Sequence, residues 1–358
     1  MSDQITFNLD GRTVTAEPGE TIWTVARREG TRIPHLCHLD KPGYRPDGNC
    51  RACMVEIEGE RTLAASCIRK PAEGMTVRTD TDRADAARRM VFEMLAADMP
   101  ARDQSPDDRS AFWQWAETMG IGGSERLPSK FARSPLSPLV GEMSRKGQRG
   151  VDGVNDDHPP LSASPTSPPQ GGRGDRDHHR PGNHDLTNPA IAVNLDSCIA
   201  CGLCVRACRE VQVNDVIGMG ERGHHAVPVF DIHDPMGLST CVTCGECVQA
   251  CPTGALYEKT LMDEAGRTRA IHEFDKSVDS VCPFCGVGCQ TTINVKDDRI
   301  VQVDGRDGPA NENRLCVKGR FGYDYVMSPE RLTRPLIRRD DAPKAGDIDM
   351  RFMKVTDI

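Results

Sequence analysis

Two runs of four cysteines with the same internal spacing constrain this chain more than any other feature. They are Cys198-x2-Cys201-x2-Cys204-x3-Cys208 and Cys241-x2-Cys244-x2-Cys247-x3-Cys251, each cysteine of the second run standing at a constant offset from its counterpart in the first. The repeat marks an internal duplication. Thiols this close in sequence suit metal ligation better than a disulfide framework, and no basic stretch followed by an apolar run marks the N-terminus for secretion. The same logic extends to all 16 cysteines of the 358 residues. Paired C-x2-C steps also serve zinc, which takes four ligands per site.

Pro252 follows the last cysteine. The whole pattern resembles the C-x2-C-x2-C-x3-C-P runs of two-cluster bacterial ferredoxins, from Ala190 to Leu256. That resemblance implies crossed ligation, for which zinc has no use. Cys198, Cys201, Cys204 and Cys251 are expected to hold one [4Fe–4S] cluster, and Cys241, Cys244, Cys247 and Cys208 the other. The spacer between the runs is longer than in the smallest ferredoxins, so a loop or hairpin is expected around Gly218 to Asp234.

The beginning of the chain has strand and helix signals. Ile5 to Leu9 alternates, Asp10-Gly11 is a hairpin signal, and Thr13 to Thr15 continues as a second strand. After Pro18-Gly19-Glu20 a helix is expected over Thr21 to Glu29, with Ile22, Val25 and Ala26 on one face. A loop then carries Cys37, Cys50, Cys53 and Cys67, and Met54 to Ile57 and Met75 to Val77 read as further strands. This order resembles the β-grasp [2Fe–2S] ferredoxins, in the form found in NADH dehydrogenase and NAD-linked formate dehydrogenase. The resemblance implies that those four cysteines hold a [2Fe–2S] cluster. His35 and His38 could replace a thiolate, as in Rieske centres, but with four cysteines at hand they are expected as supporting loop residues; zinc remains the alternative for the cysteines.

Asp82 to Asp98 reads as one amphipathic helix, with Ala87, Met90, Val91, Met94 and Leu95 expected on its buried face. Phe112 to Trp115 is expected to anchor a short helix. The respiratory enzymes have a cluster with one histidine and three cysteines after such a helix, and no cysteine lies between Cys67 and Cys198 to build it. Residues 128–189 are rich in Pro and Gly and are expected to be a disordered insertion, to which no function is assigned.

The last four cysteines are Cys282-x2-Cys285-x3-Cys289 and, after a gap, Cys316. Gly286 and Gly288 stand where a tight loop would wrap a cluster, and Thr291 to Val295 and Arg299 to Val303 alternate as strands about Asp297-Asp298. VCPFCGVGCQTTINV and NRLCVKGRFGYDYVMSPERLTRPLIR resemble the first [4Fe–4S] domain of molybdopterin oxidoreductases, most of all the α subunit of cytoplasmic NAD-dependent formate dehydrogenases. In that family the position of Lys318 bridges cluster and pterin. The resemblance implies one [2Fe–2S] and three [4Fe–4S] clusters, with molybdopterin guanine dinucleotide and Mo or W only in the complete subunit. It also implies a flavin- and NAD-binding iron–sulfur partner.

The fold class expected is α+β and multi-domain: 1–80 β-grasp, 81–127 helical connector, 128–189 insertion, 190–262 dicluster ferredoxin, 275–335 molybdopterin oxidoreductase [4Fe–4S] domain and 336–358 tail. A low aromatic fraction of 4% suits small metal-stapled modules more than one large core. The residues for formate oxidation are expected to lie outside the chain, which reads as a truncation or fragment, with no catalytic residue of its own. Alternatives are an iron–sulfur subunit of respiratory NADH dehydrogenase or NAD-linked hydrogenase, or a free-standing electron carrier or inactive remnant. A net charge of −8 without a basic aromatic stripe speaks against nucleic acid, and no apolar run has the length of a membrane span, so a cytoplasmic location is expected.

Overall fold

A computed structural model describes residues 4–124, 126, 127, 129, 184–262, 273–332, 334–340 and 353–355. The chain divides into two compact units, residues 1–273 and 274–358.

The first unit begins with a hairpin of β1 (Ile5–Leu9) and β2 (Arg12–Ala16), turned by Asp10 and Gly11 at φ 49° and 80°. Both turn residues are left-handed, as a two-residue hairpin matched to strand twist requires. With β3 (Met54–Ile57), β4 (Ala64–Ala65) and β5 (Thr76–Arg78) it forms a sheet of order β2-β1-β5-β3-β4, in which β1 and β5 run parallel. The Asp10 carboxylate accepts from the Thr79 backbone N–H at 2.6 Å and its hydroxyl at 2.7 Å, tying the hairpin to the end of β5. Helix α1 (Ile22–Arg28) is capped by Thr21, whose Oγ1 accepts from Thr24 N, and it buries Ile22, Trp23, Val25 and Ala26 on this sheet.

Helix α2 occupies Asp82–Asp98, capped by Thr81 with Asp82 and Asp85 in its first turn. Its length is as expected but its buried face is not. Ala84, Arg88, Phe92, Ala96 and Ala97 face inward, while Met90 and Met94 are 52% and 54% exposed. The apolar count favoured the methionines. The inner face instead combines small alanines with Phe92 and an arginine whose Nε donates to the Met54 carbonyl at 2.8 Å.

Phe92 stacks on Phe112 of α3 (Ala111–Thr118) at 5.4 Å between ring centroids. Around this pair a second core gathers Leu36 and Ala52 from the Cys37 and Cys50 loop, Met99, Trp113 and, at its margin, Ile199. Trp113 Nε1 donates to Ser105 Oγ at 3.0 Å, and Phe112 N donates to the Pro252 carbonyl at 2.9 Å. The N-terminal loop and the duplicated cysteine region are therefore packed through a shared core.

Most of the expected insertion, 128–189, lies outside the described residues. Its last six are described, and β6 (His184–Asp185) pairs with β7 (Ile191–Asn194), which pairs with β10 (Leu256–Glu258). The duplicated region contains α4 (Leu203–Arg206) and α5 (Glu246–Ala250), and the spacer forms the expected hairpin, β8 (Ile217–Gly220) with β9 (Val227–Phe230).

The second unit is an antiparallel sheet of β11 (Lys276–Val281), β12 (Gln290–Lys296) and β13 (Arg299–Gly305), with helix α6 (Val317–Phe321). Among the described residues no helix is long and apolar enough to cross a membrane.

Candidate iron–sulfur centres

The two cysteine runs fold alike. Ala200 and Thr243, the residues two after Cys198 and Cys241, sit at φ 51° and 54°, and Gly202 and Gly245 both sit at φ 74° just before α4 and α5. This left-handed turn aims backbone N–H groups inward: Ala200 N donates to Cys198 Sγ at 3.4 Å and Thr243 N to Cys241 Sγ at 3.4 Å. A non-glycine residue at positive φ, above all β-branched Thr243, is strained, and such strain gathers at functional sites.

The sorting of the eight thiols is the informative result. Cys198, Cys201, Cys204 and Cys251 line one cavity; Cys208, Cys241, Cys244 and Cys247 line another. Each cavity takes three cysteines from one run and the fourth from the other. Val216 N donates to Cys208 Sγ at 3.3 Å, and Asn214 Nδ2 lies 3.9 Å from Cys244 Sγ. Burial pushes the thiols of Cys201, Cys204 and Cys247 well up, and their cysteine neighbours push further in the same direction. Gathering four thiolates here is unfavourable without a cationic core to offset their charge, and an iron–sulfur cube supplies one. In a cube each of four thiolates binds its own iron, and each cavity offers four.

The N-terminal four also meet. Cys50 and Cys67 hydrogen-bond to Cys37 and hold its thiol well below the ordinary range, while Cys67 lowers Cys53 to about 7. Cys50 N donates to Cys37 Sγ at 3.4 Å and Ala52 N to Cys50 Sγ at 3.5 Å. N–H···S bonds of this kind stabilise thiolate ligands and tune the metal they hold. His35 and His38 pack edge-on to Trp23 at 4.7 and 4.5 Å, and burial lowers both, His38 to about 4. They support the loop as neutral rings.

In the second unit, burial and then Cys282, Cys285 and Cys316 raise the Cys289 thiol, so these four share one locale. Cys282 N donates to Cys289 O at 2.8 Å, and Gly288 is at φ 72° between them. Cys285 and Cys316 are exposed, as is Lys318 in α6.

Several residues at the first unit's centres escaped the sequence reading. Arg206 is buried and its Nη2 donates to the Cys37 carbonyl at 2.7 Å, while Nη1 pairs with Asp47. The Tyr44 hydroxyl donates to Glu246 Oε1 at 2.8 Å, and Arg45 pairs with Glu210 at 2.9 Å. A signal for them existed. The duplication places Gln249 where the first run has Arg206, and Glu246 where it has Leu203. Both departures from the repeat face the Cys37 loop.

Three family models match parts of the chain. Residues 2–82 match the 2Fe-2S iron–sulfur cluster binding domain, 197–255 the 4Fe-4S dicluster domain, and 275–328 the molybdopterin oxidoreductase Fe4S4 domain. The chain carries iron–sulfur domains. They are of the type found in the N-terminal portion of the large iron–sulfur subunit of NADH-quinone oxidoreductase and of formate-dehydrogenase-type molybdopterin oxidoreductases, and the fold class is α+β as expected. The chain is 31% identical over 339 residues to an NADH-quinone oxidoreductase subunit of Rhizobium meliloti, covering 94% of this chain and 33% of that protein. It is 27% identical over 375 residues to the putative formate dehydrogenase YrhE of Bacillus subtilis, again covering 94% of this chain and 33% of that one. The chain thus spans about a third of the length of these relatives. A crystal structure of NAD+-reducing [NiFe]-hydrogenase in the H2-reduced state has a similar fold, with TM-score 0.52 and 24% identity over 75% of this chain and 92% of that one.

Proposed function

We propose that this chain is the electron-relay portion of a formate dehydrogenase α subunit, carrying one [2Fe–2S] and three [4Fe–4S] clusters. The observation that carries the relay is the sorting of eight cysteines into two crossed four-thiol cavities. Cys37, Cys50, Cys53 and Cys67 would hold the [2Fe–2S] cluster, and Cys282, Cys285, Cys289 and Cys316 the third [4Fe–4S] cluster.

The packing adds an order to the relay. The Cys37 loop lies against α4, and Cys37 is among the charges that act on Cys201. The [2Fe–2S] centre would then neighbour the Cys198/Cys201/Cys204/Cys251 centre, and that centre would adjoin the Cys208/Cys241/Cys244/Cys247 centre through α4 and α5. The clusters would supply one-electron transfer without bond breaking, and the part of these cysteines and their loops would be to fix the spacing and surroundings of the centres.

Formate is the substrate we assign to the complete enzyme, which would lose two electrons and a proton to give carbon dioxide at a Mo- or W-pterin centre. Lys318, just after Cys316, would reach toward the pterin, and a flavin subunit would pass the electrons to NAD. The match of residues 275–328 to the molybdopterin oxidoreductase domain and the similarity to YrhE support this assignment. The second reading, a relay subunit of an NADH-quinone oxidoreductase, is favoured by the 31% identical relative from such an enzyme.

The test is iron, sulfide and EPR on anaerobically purified protein. About 14 iron atoms per chain with both cluster types is the expected result. Zinc with little iron would overturn the relay. Formate-dependent reduction of the chain's clusters by its native complex separates the two readings; NADH-dependent reduction without any response to formate favours the second.

A further inference from the structure

We propose that Arg206 holds up the reduction potential of the Cys37/Cys50/Cys53/Cys67 cluster, with Asp47 as the opposing charge. The pair thereby biases where an electron rests between that cluster and its Cys198/Cys201/Cys204/Cys251 neighbour. The inference rests on the [2Fe–2S] assignment made above.

Arg206 stands on α4 between Cys204, assigned to one cube, and Cys208, assigned to the other. Its side chain is only 3% exposed and turns away from both toward the third ligand loop. There Nη2 donates at 2.7 Å to the carbonyl of Cys37 itself. Arg88, also buried, donates from Nε to the carbonyl of Met54, next to Cys53. Two buried guanidinium groups thus hold backbone carbonyls at or beside two of the four cysteines.

Reduction of a four-thiolate cluster adds one negative charge inside a low-dielectric environment. A fixed cation beside it favours the reduced state, and net charge, hydrogen bonding and burial are the levers by which proteins set cluster potentials. Asp47 opposes Arg206. It pairs with Arg206 on its inner side and with Arg45 on its outer side, and Arg45 continues to Glu210 at the surface. Arg206 is the innermost member of this four-charge chain. Its removal takes the inner cation away and leaves Asp47 balanced by Arg45 alone, whereas neutralising Asp47 removes the carboxylate paired with Arg206. The two changes should act with opposite sign, which generalised damage to the loop would not produce.

The electron comes from a low-potential one-electron donor, dithionite in the titration, and stays on the cluster; no proton or ligand moves. The experiment is an EPR-monitored redox titration of the full, iron-loaded chain and of Arg206→Met, Arg206→Lys and Asp47→Asn. At the wild-type midpoint, Arg206→Met should cut the reduced-to-oxidised ratio of the [2Fe–2S] cluster at least tenfold, a downward shift of about 59 mV. Asp47→Asn should shift the midpoint upward and Arg206→Lys downward by less than Arg206→Met. An unchanged midpoint in Arg206→Met, or a shift of the same sign in Arg206→Met and Asp47→Asn, overturns the proposal. If Arg206→Met fails to load the cluster, Asp47→Asn decides alone: a rise supports, and no change or a fall overturns. Absence of a [2Fe–2S] signal from the wild-type chain would instead refute the cluster assignment.

Discussion

The Tyr44 hydroxyl donates a 2.8 Å hydrogen bond to Glu246 Oε1, although more than two hundred positions separate them in the chain. Tyr44 lies in the loop after Cys37, and Glu246 opens α5, one residue before Cys247. The contact is buried, Glu246 being 1% exposed, so it clamps the N-terminal loop onto the second half of the cysteine repeat.

Tyr44→Phe removes the donor and leaves the ring in place. A buried hydrogen bond to a carboxylate contributes about 1.5–3 kcal/mol. The iron-loaded variant should lose that much stability in urea unfolding, with its iron content unchanged. An unchanged midpoint would show that the clamp contributes nothing.

Crossed ligation predicts which cluster each terminal cysteine serves. Cys251→Ser should damage the cluster of Cys198, Cys201 and Cys204, far from it in sequence, and spare that of Cys241, Cys244 and Cys247. Cys208→Ser should do the reverse. Mössbauer and EPR spectra of the two variants, compared with Cys198→Ser and Cys241→Ser, check the pairing. The assignment fails if each terminal variant resembles the variant in its own run.

Iron removal should have unequal effects along the first unit. Helices α4 and α5 have 4 and 5 residues, too short to persist without tertiary support. Burial pushes the thiols of Cys204 and Cys247 up. Hydrogen exchange after chelation under reducing conditions should show protection lost from 198 to 251. It should be retained in β1 and α1, which have an apolar core of their own. Uniform loss across the unit would contradict this division.

The face of α2 can be tested with two substitutions. Phe92→Ala removes a fully buried ring stacked on Phe112 and should cost about 3–5 kcal/mol. Met94→Ala, on the exposed side, should stay within about 0.5 kcal/mol. Denaturation midpoints of the two variants give the comparison, and equal effects would place the buried stripe elsewhere.

Much of the local structure was legible because it is written in local terms. Asp10-Gly11 needs two left-handed residues, the helical spacing over Asp82–Asp98 fixes α2, and β12 and β13 alternate about Asp297-Asp298. Arg88 was missed on α2 because a periodicity count scores arginine as solvent-facing. Its burial depends on the Met54 carbonyl, a partner on a strand many residues earlier. The exposed Met90 and Met94 were misplaced for the converse reason: an apolar side chain does not reveal whether anything packs against it.

By itself the sequence determined which residues could bind iron, since thiol chemistry and the spacing of short loops are local properties carried by the cysteines and their glycines. It also contained the duplicated cysteine run whose resemblance to two-cluster ferredoxins implied the crossed sets. Only the tertiary structure decided what surrounds those thiols. Arg206, Asp47, Tyr44 and Glu246 meet because two separately encoded loops pack across the Phe92 and Phe112 core. Charge–charge energies depend on distance through space and on burial, and neither is carried by separation along the chain.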